Sequence, residues 1–262
     1  MNNQEIKPQS EFSSRVIDDA KEKIISVQNL TKKFGDFAAV DAISFDVYKG
    51  EIFGFLGANG AGKTTAMKML IGISIPTAGE AQVAGFDVLT NAEMVKKNIG
   101  YMSQKFSLYD DLTVKENIVF FGGIYGLSRA EIKIKTAALV KELQIEAIIN
   151  NLVGSLPLGW KQKLSFSVAL LHEPKIVFLD EPTGGVDPIT RRQFWEMIYT
   201  QAYKGTTIFV TTHYMDEAEY CDRVSIMVAG KIEALDTPKN LKKQFNVETM
   251  NDVFLKLARN IE

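Results

Sequence analysis

The stretch Glu51-Ile52-Phe53-Gly54-Phe55-Leu56-Gly57-Ala58-Asn59-Gly60-Ala61-Gly62-Lys63-Thr64-Thr65 decides how the rest of the chain is read. It opens as a β-prone run, passes through a glycine-rich turn, and continues into a helical pattern from Lys63 to about Gly72. Residues 57–64 fit G-x-x-x-x-G-K-[ST], and a turn between strand and helix is the context that pattern requires. The glycines Gly57, Gly60 and Gly62, with Ala58, Asn59 and Ala61 between them, let the backbone turn its N–H groups inward around phosphate oxygens. The following helix points its positive end at the same anion. Lys63 is expected to reach the β and γ phosphates, Thr64 to place its hydroxyl on Mg²⁺, and Thr65 to add a phosphate hydrogen bond. The plainer alternative is a glycine-rich turn that happens to precede a helix, and the strand and helix on either side count against it.

A second segment answers the first. Ile176-Val177-Phe178-Leu179-Asp180-Glu181 is an apolar run ending in two carboxylates. Such a run suits a central parallel strand buried on both faces, delivering acids to the carboxyl edge where open α/β sheets bind ligands. Asp180 can then hold Mg²⁺, and Glu181 can polarise the attacking water as a general base. Taken alone, the run reads equally well as a solvated strand end; beside a phosphate cradle it reads as the metal and water side of the same site. His213 follows the predicted strand at 206–212 on that edge, where its imidazole could bond a γ-phosphate. The other histidine, His172, falls at a helix end, where capping is the expected duty.

Between these segments, apolar β-rich runs alternate with helical patterns, which favours a layered α/β domain. Strands are expected over 24–30, 42–48, 51–56, 99–102, 175–180, 206–211 and 223–228, with a helix starting near Pro188. From about Gln104 to His172 helical spacing dominates, in 113–125, 129–143 and 161–171, and reads as an insertion into the α/β domain. The division that follows is a polar tail at 1–22, a discontinuous core at 23–103 and 173–235, a helical subdomain at 104–172 and a C-terminal helical extension at 236–262.

The chain has 262 residues, 46% hydrophobic and 24% charged, with a net charge of -2. That balance is ordinary for a globular protein and gives no electrostatic reason to expect a nucleic-acid partner. The single cysteine, Cys221, cannot form an internal disulfide, and the opening residues lack the apolar core of a secretory signal, so a cytosolic setting is expected. The longest apolar stretch, 118–127, is half the length needed to cross a bilayer. Any membrane role is therefore expected to come through a partner.

Taken in order, these residues resemble the nucleotide-binding domain of ABC transporters over roughly residues 24–236. The resemblance implies a P-loop NTPase core with an antiparallel β subdomain and an inserted helical subdomain, binding ATP and Mg²⁺. It implies that Phe34 stacks on adenine, that Gln104 senses the metal and γ-phosphate, that Asp187 in Thr183-Gly184-Gly185-Val186-Asp187-Pro188 communicates between two subunits, and that His213 is the switch histidine. The family's signature, Leu-Ser-Gly-Gly-Gln, departs here to Leu156-Pro157-Leu158-Gly159-Trp160. Pro157 offers neither hydroxyl nor N–H. Gly159 and the amides of the helix that follows remain to meet an anion. Two readings stay open: an active variant working through those amides, favoured by the presence of Glu181 and His213, or a site of impaired hydrolysis.

The run from Leu179 to Pro188, then Thr211-Thr212-His213-Tyr214-Met215-Asp216-Glu217-Ala218-Glu219, then Asp236-Thr237-Pro238, looks like the ATPases that serve ABC-2-type permeases, mostly exporters. The resemblance implies a head-to-tail homodimer or heterodimer of ATPase subunits around two ATP, peripheral on the inner face of the cell membrane through a separate permease. The rival readings are a soluble ABC-type ATPase acting on ribosomes or DNA, and a non-hydrolysing regulatory subunit.

Overall fold

In the computed structural model, residues 22–105 and 108–259 are described; most of the expected polar tail lies outside them. Two sheets organise the chain. The first is antiparallel, ordered β2-β1-β4-β5, and is built from β1 (Lys23–Phe34), β2 (Phe37–Tyr48), β4 (Ala78–Val83) and β5 (Phe86–Asp87). The second has six strands ordered β10-β9-β3-β8-β7-β6, from β3 (Ile52–Leu56), β6 (Ile99–Met102), β7 (Ile176–Asp180), β8 (Thr207–Thr212), β9 (Arg223–Val228) and β10 (Lys231–Asp236). Its five strands from β9 to β6 run parallel, and β10 turns back antiparallel on β9.

Every residue of β3, β7 and β8 is buried, and alternate side chains divide between two cores, as a period of two demands. Phe53, Phe55, Phe178 and Phe209 face one way and join Phe45, the antiparallel sheet and α1 (Lys63–Leu70). Ring centroids in that group lie 5.2–6.2 Å apart. Leu56, Val177, Leu179, Ile208 and Val210 face the other way and meet Phe194, Trp195 and Ile198 of α6 (Pro188–Tyr203). The apolar run at 176–180 is therefore buried on both faces, although β7 stands next to the edge strand β6 and not at the sheet's middle.

The 104–172 stretch carries α3 (Val114–Ile124), α4 (Arg129–Leu143) and α5 (Leu158–Ala169), with α2 (Ala92–Asn98) just before it. Capping boxes start α3 at Thr113/Glu116 and α4 at Ser128/Glu131, each satisfying two backbone N–H groups at the helix start. These helices share a small apolar core of their own: Val114, Ile118, Leu139, Ile145, Val153, Leu164 and Val168. Helix α5 bridges the two bodies, because Leu164 and Val168 point into that core while Phe166 packs on Phe194 of α6. It starts at Leu158, three residues before the sequence pattern suggested, since Pro157 serves as its N-cap residue and takes the N–H of Trp160 on its carbonyl at 3.0 Å.

After β10, α7 (Pro238–Gln244) is capped by Thr237, and α8 (Met250–Arg259) buries Met250, Val253 and Leu257. Helix α8 packs on the 3₁₀ turns at Met215–Tyr220 and on β9. Among the described residues no helix is long and apolar enough to cross a membrane.

Candidate functional site: a glycine-lined cradle facing two carboxylates

The parallel strands β3, β7 and β8 deliver their carboxyl ends to one edge, and there the sequence-distant residues meet. The turn from Gly57 to Gly62 leaves β3 and enters α1. Gly62 is the N-cap of α1 with φ +105°, a conformation that a side chain resists. A Cβ there would also lie 2.2 Å from the carbonyl oxygen of Ala39 on β2. At Gly57 a Cβ would lie 2.4 Å from the Met227 carbonyl. The loop is thus pinned between β2 and β9 in a shape that only glycine permits. No acceptor among the described residues takes the N–H groups of Gly60, Gly62, Lys63, Thr64 or Thr65, so five main-chain donors gather at the positive end of α1.

Lys63 is buried beneath this loop. Its amino group donates to the carbonyls of Gly57 at 2.7 Å and Ala58 at 3.0 Å, and lies 3.5 Å from Glu181 Oε1. Burial draws its pKa below the usual lysine value, and the Glu181 and Asp180 charges oppose that pull. The Thr64 hydroxyl donates to Asp180 Oδ1 at 3.2 Å. Burial pushes the Asp180 carboxyl up, while hydrogen bonds from Thr211 and Thr64 hold it down.

Glu181 stands just beyond β7 with a left-handed backbone, φ +48°, strained for a residue with a side chain. Its N–H is fixed by Thr211, with the carbonyl oxygen at 3.1 Å and Oγ1 at 3.0 Å. Its carboxylate gathers the remaining expected groups: Oε2 lies 3.1 Å from His213 Nδ1 and accepts from Gln104 Nε2 at 3.0 Å. Lys63, Thr64, Gln104, Asp180, Glu181 and His213 therefore form one connected group beside the cradle. Gln104 meets Glu181 through its amide N–H; Asp180 is instead held by the two threonines.

Phe34 ends β1 at the tip of its hairpin, 58% exposed, with Lys32 Nζ 5.3 Å from its ring centroid. Two further expected residues make a separate group. Asp187 caps α6, accepting from the N–H of Ile189 and Thr190 at 3.0 Å each. Gly159, in the first turn of α5, lies so close to α6 that a Cβ would sit 2.7 Å from Thr190 Cγ2. An open hollow of about 460 Å³ runs between these helix starts, lined by Pro157, Leu158, Gly159, Asp187 and their neighbours. A larger hollow, about 980 Å³ between α4, α5 and α6, contains no cradle residue.

One expectation is corrected. His172 does not cap the helix it follows: its Nε2 pairs with the carbonyl of Ile99, where α2 passes into β6, at 2.9 Å, and its ring stacks on Tyr125 at 3.9 Å. The tertiary contact with a strand edge wins over the local one. Sequence reasoning also passed over Thr211, whose hydroxyl donates to Asp180 Oδ1 at 2.7 Å while accepting from the Glu181 N–H. Its only signal was a polar residue near the end of an apolar strand.

Residues 40–184 match the family described as ABC transporter. The chain belongs to the ABC transporter family. It is 48% identical over 241 residues to the probable multidrug ABC transporter ATP-binding protein YbhF of Escherichia coli (strain K12), which covers 90% of this chain and 42% of that protein. It is 38% identical over 218 residues to Nod factor export ATP-binding protein I of Rhizobium sp. (strain N33), covering 83% of this chain and 72% of that relative. The chain thus spans less than half the length of the Escherichia coli relative.

Among solved structures, an ATP-binding subunit of an ABC transporter superposes with a TM-score of 0.80 at 28% identity, covering 89% of this chain and 99% of the other. The cbiO1 protein of Clostridium perfringens, part of the transporter complex cbiONQ, gives 0.76 at 25% identity, covering 90% and 99%. The fold is that of an ABC-type ATPase, with a P-loop core, an antiparallel sheet and helices between the core segments.

Proposed function

We propose that this chain binds and hydrolyses ATP as the ATPase subunit of an ABC exporter, working as a head-to-tail pair with a second copy or a close relative. The observation that carries the reading is the convergence of the five unpaired amides and Lys63 with Asp180, Glu181 and His213 on one sheet edge. A polyphosphate is the ligand such amides suit. Thr64 and Asp180, with the amide oxygen of Gln104, are hard oxygen donors of the kind Mg²⁺ takes. A bound Mg²⁺ would neutralise charge on the phosphates.

Glu181 is the general base in this reading. It has a carboxylate held by His213 and Gln104 and a backbone fixed by Thr211, so little reorganisation is needed as it takes the proton of water. Lys63 stabilises the charge of the transferring phosphoryl group, and Phe34 offers an exposed face for the adenine. The grouping of Gly159 with Asp187, apart from the cradle, supports a composite site in which the α5 start of one subunit closes on the cradle of the other. Pro157 removes a hydroxyl from that start, and the N–H groups of the first turn of α5 serve in its place.

The apolar chemistry of membrane crossing is expected in a separate permease of the ABC-2 type, which would hold the chain at the inner face of the membrane. Relatives named for multidrug transport and Nod factor export support the outward direction. The test is Mg-ATP turnover by the purified chain. Wild type is expected to hydrolyse ATP, and Glu181→Gln to bind it with turnover reduced about 10²–10³-fold. Turnover unaltered by that substitution would defeat the assignment.

A further inference from the structure

Directly behind His213 lies a set of polar side chains that the reading above does not use. Glu217 is fully buried and Thr183 is 1% exposed. The Thr183 hydroxyl donates to Glu217 Oε1 at 2.6 Å. Arg191, on the first turns of α6, brings Nε to 3.7 Å from the same oxygen and lays its guanidinium 4.2 Å from the ring centroid of Tyr214. The Tyr214 ring packs on the His213 ring, centroids 4.1 Å apart, and His213 bonds Glu181. The contacts start at Glu181 just beyond β7, pass through His213, Tyr214, Arg191 and Glu217, and return at Thr183, two residues from where they began.

A carboxylate with no exposure is costly, and a plain packing role would be filled more cheaply by an apolar residue. The pair is also loosely made. Arg191 Nε and Glu217 Oε2 have no hydrogen-bond partner among the described residues, so charge and ring stacking hold the guanidinium without the fork geometry that would lock it. Its other acidic neighbour, Asp216 at 3.7 Å, is 70% exposed. Arg191 lies one turn beyond Asp187, the cap of the same helix, and its N–H donates to the Asp187 carbonyl at 2.9 Å.

We propose that Arg191, Tyr214 and Glu217 are positioning residues that set the imidazole of His213, and through it the carboxylate of Glu181, to the orientation of the first turn of α6. The proposal rests on the reading of Glu181 and His213 as the hydrolytic pair. None of the three touches the cradle. Displacement of the Asp187 turn moves Arg191, which carries Tyr214 with it, and the rate of the chemical step follows while nucleotide affinity stays as it was.

The experiment measures kcat, KM and the affinity for a fluorescent ATP analogue with the full chain. The variants are Tyr214→Phe, Tyr214→Ala, the double Arg191→Gln/Glu217→Gln, and Glu181→Gln as reference. Tyr214→Phe keeps the stacking face and is expected within about twofold of wild type. Tyr214→Ala leaves the Arg191 and Glu217 charges in place and is expected to lose about 10–100-fold in kcat with KM and affinity unchanged. The double variant neutralises the half-buried Arg191 and the buried Glu217 together and is expected to show the same split; if it does not fold, the two tyrosine variants decide alone. Tyr214→Ala within about threefold of wild-type kcat, or kcat and affinity falling together, or Tyr214→Phe falling as far as the alanine, would overturn the proposal. Wild-type turnover no higher than that of Glu181→Gln is a distinct result: it removes the hydrolytic pair, and the positioning role goes with it.

Discussion

Replacing Thr211 with valine keeps the shape of a fully buried side chain and removes one oxygen, and the consequence can be worked out from four distances. The hydroxyl donates to Asp180 Oδ1 at 2.7 Å and accepts from the Glu181 N–H at 3.0 Å. The second bond has a substitute, because the carbonyl of Thr211 already lies 3.1 Å from the same N–H. The first has none. Asp180 would keep only Thr64, at 3.2 Å. A hydrogen bond to a charged group is worth about 1.5–3 kcal/mol, so a loss of ~2 kcal/mol in unfolding free energy is expected when Asp180 is ionised.

The pH dependence gives the sharper test. Burial already raises the Asp180 carboxyl, and the Thr211 bond is the largest force opposing the rise. A raised native pKa means stability present at low pH and lost as pH rises through that value. Valine raises the pKa further, so the cost of the substitution should grow from acid to neutral pH, as Asp180 ionises. Urea unfolding of wild type and variant at acid and at neutral pH measures it. Thr207→Val serves as control: that hydroxyl is equally buried on the same strand but, among the described residues, accepts only from the neutral N–H of Gly50 at 2.9 Å. A Thr211→Val cost that is the same at both pH values, or below about 0.5 kcal/mol, would show that the Thr211 hydroxyl does not hold the Asp180 carboxylate.

Gly62→Ala forces a Cβ onto a left-handed residue and against the Ala39 carbonyl; stability should fall by about 3 kcal/mol and ATP binding should vanish, as denaturation and titration calorimetry would show. Phe34→Ala removes an exposed ring, so melting should be unchanged while the Kd for ATP weakens about 3–10-fold. Glu51 is buried against Arg223, and burial raises its carboxyl to about 7 from 4.5. That elevation contributes stability at low pH and gives up to about 3 kcal/mol of it away as pH rises from 4.5 to 7. Glu51→Gln should flatten this slope in urea unfolding followed across the range.

The parts of the fold readable in the sequence were those where one local rule sufficed. The cradle was fixed by glycine and lysine spacing, β7 by an unbroken apolar run, and α6 by Asp187-Pro188 at its start. The elements that escaped are short or mixed. Strand β4, Ala-Gly-Glu-Ala-Gln-Val, exposes four of its six residues and has neither run nor clean alternation, and its neighbours β5 and α2 are two and seven residues long. Strand β1 continues through Lys32 and Lys33, where register shifts against β2 break the alternation a reader would seek. The start of α5 was hidden by Pro157-Leu158-Gly159, which reads as a turn yet supplies a cap residue and a close helix contact.

At the site, the groups expected to touch phosphate or metal came from motif order. Thr211, Arg191, Tyr214 and Glu217 act on those groups from behind, and no spacing along the chain betrays which side chain stands behind another.

Helix α8 has a mechanical consequence. Its buried face rests on the turns at Met215–Tyr220, a short segment that begins two residues after His213 and buries Glu217 within it. On the proposed reading of the site, it would brace the wall behind the hydrolytic pair. A load applied to α8, by a bound partner or an attached segment, would be felt at the imidazole before it reached the nucleotide, and would register as a change of tempo with no change of grip.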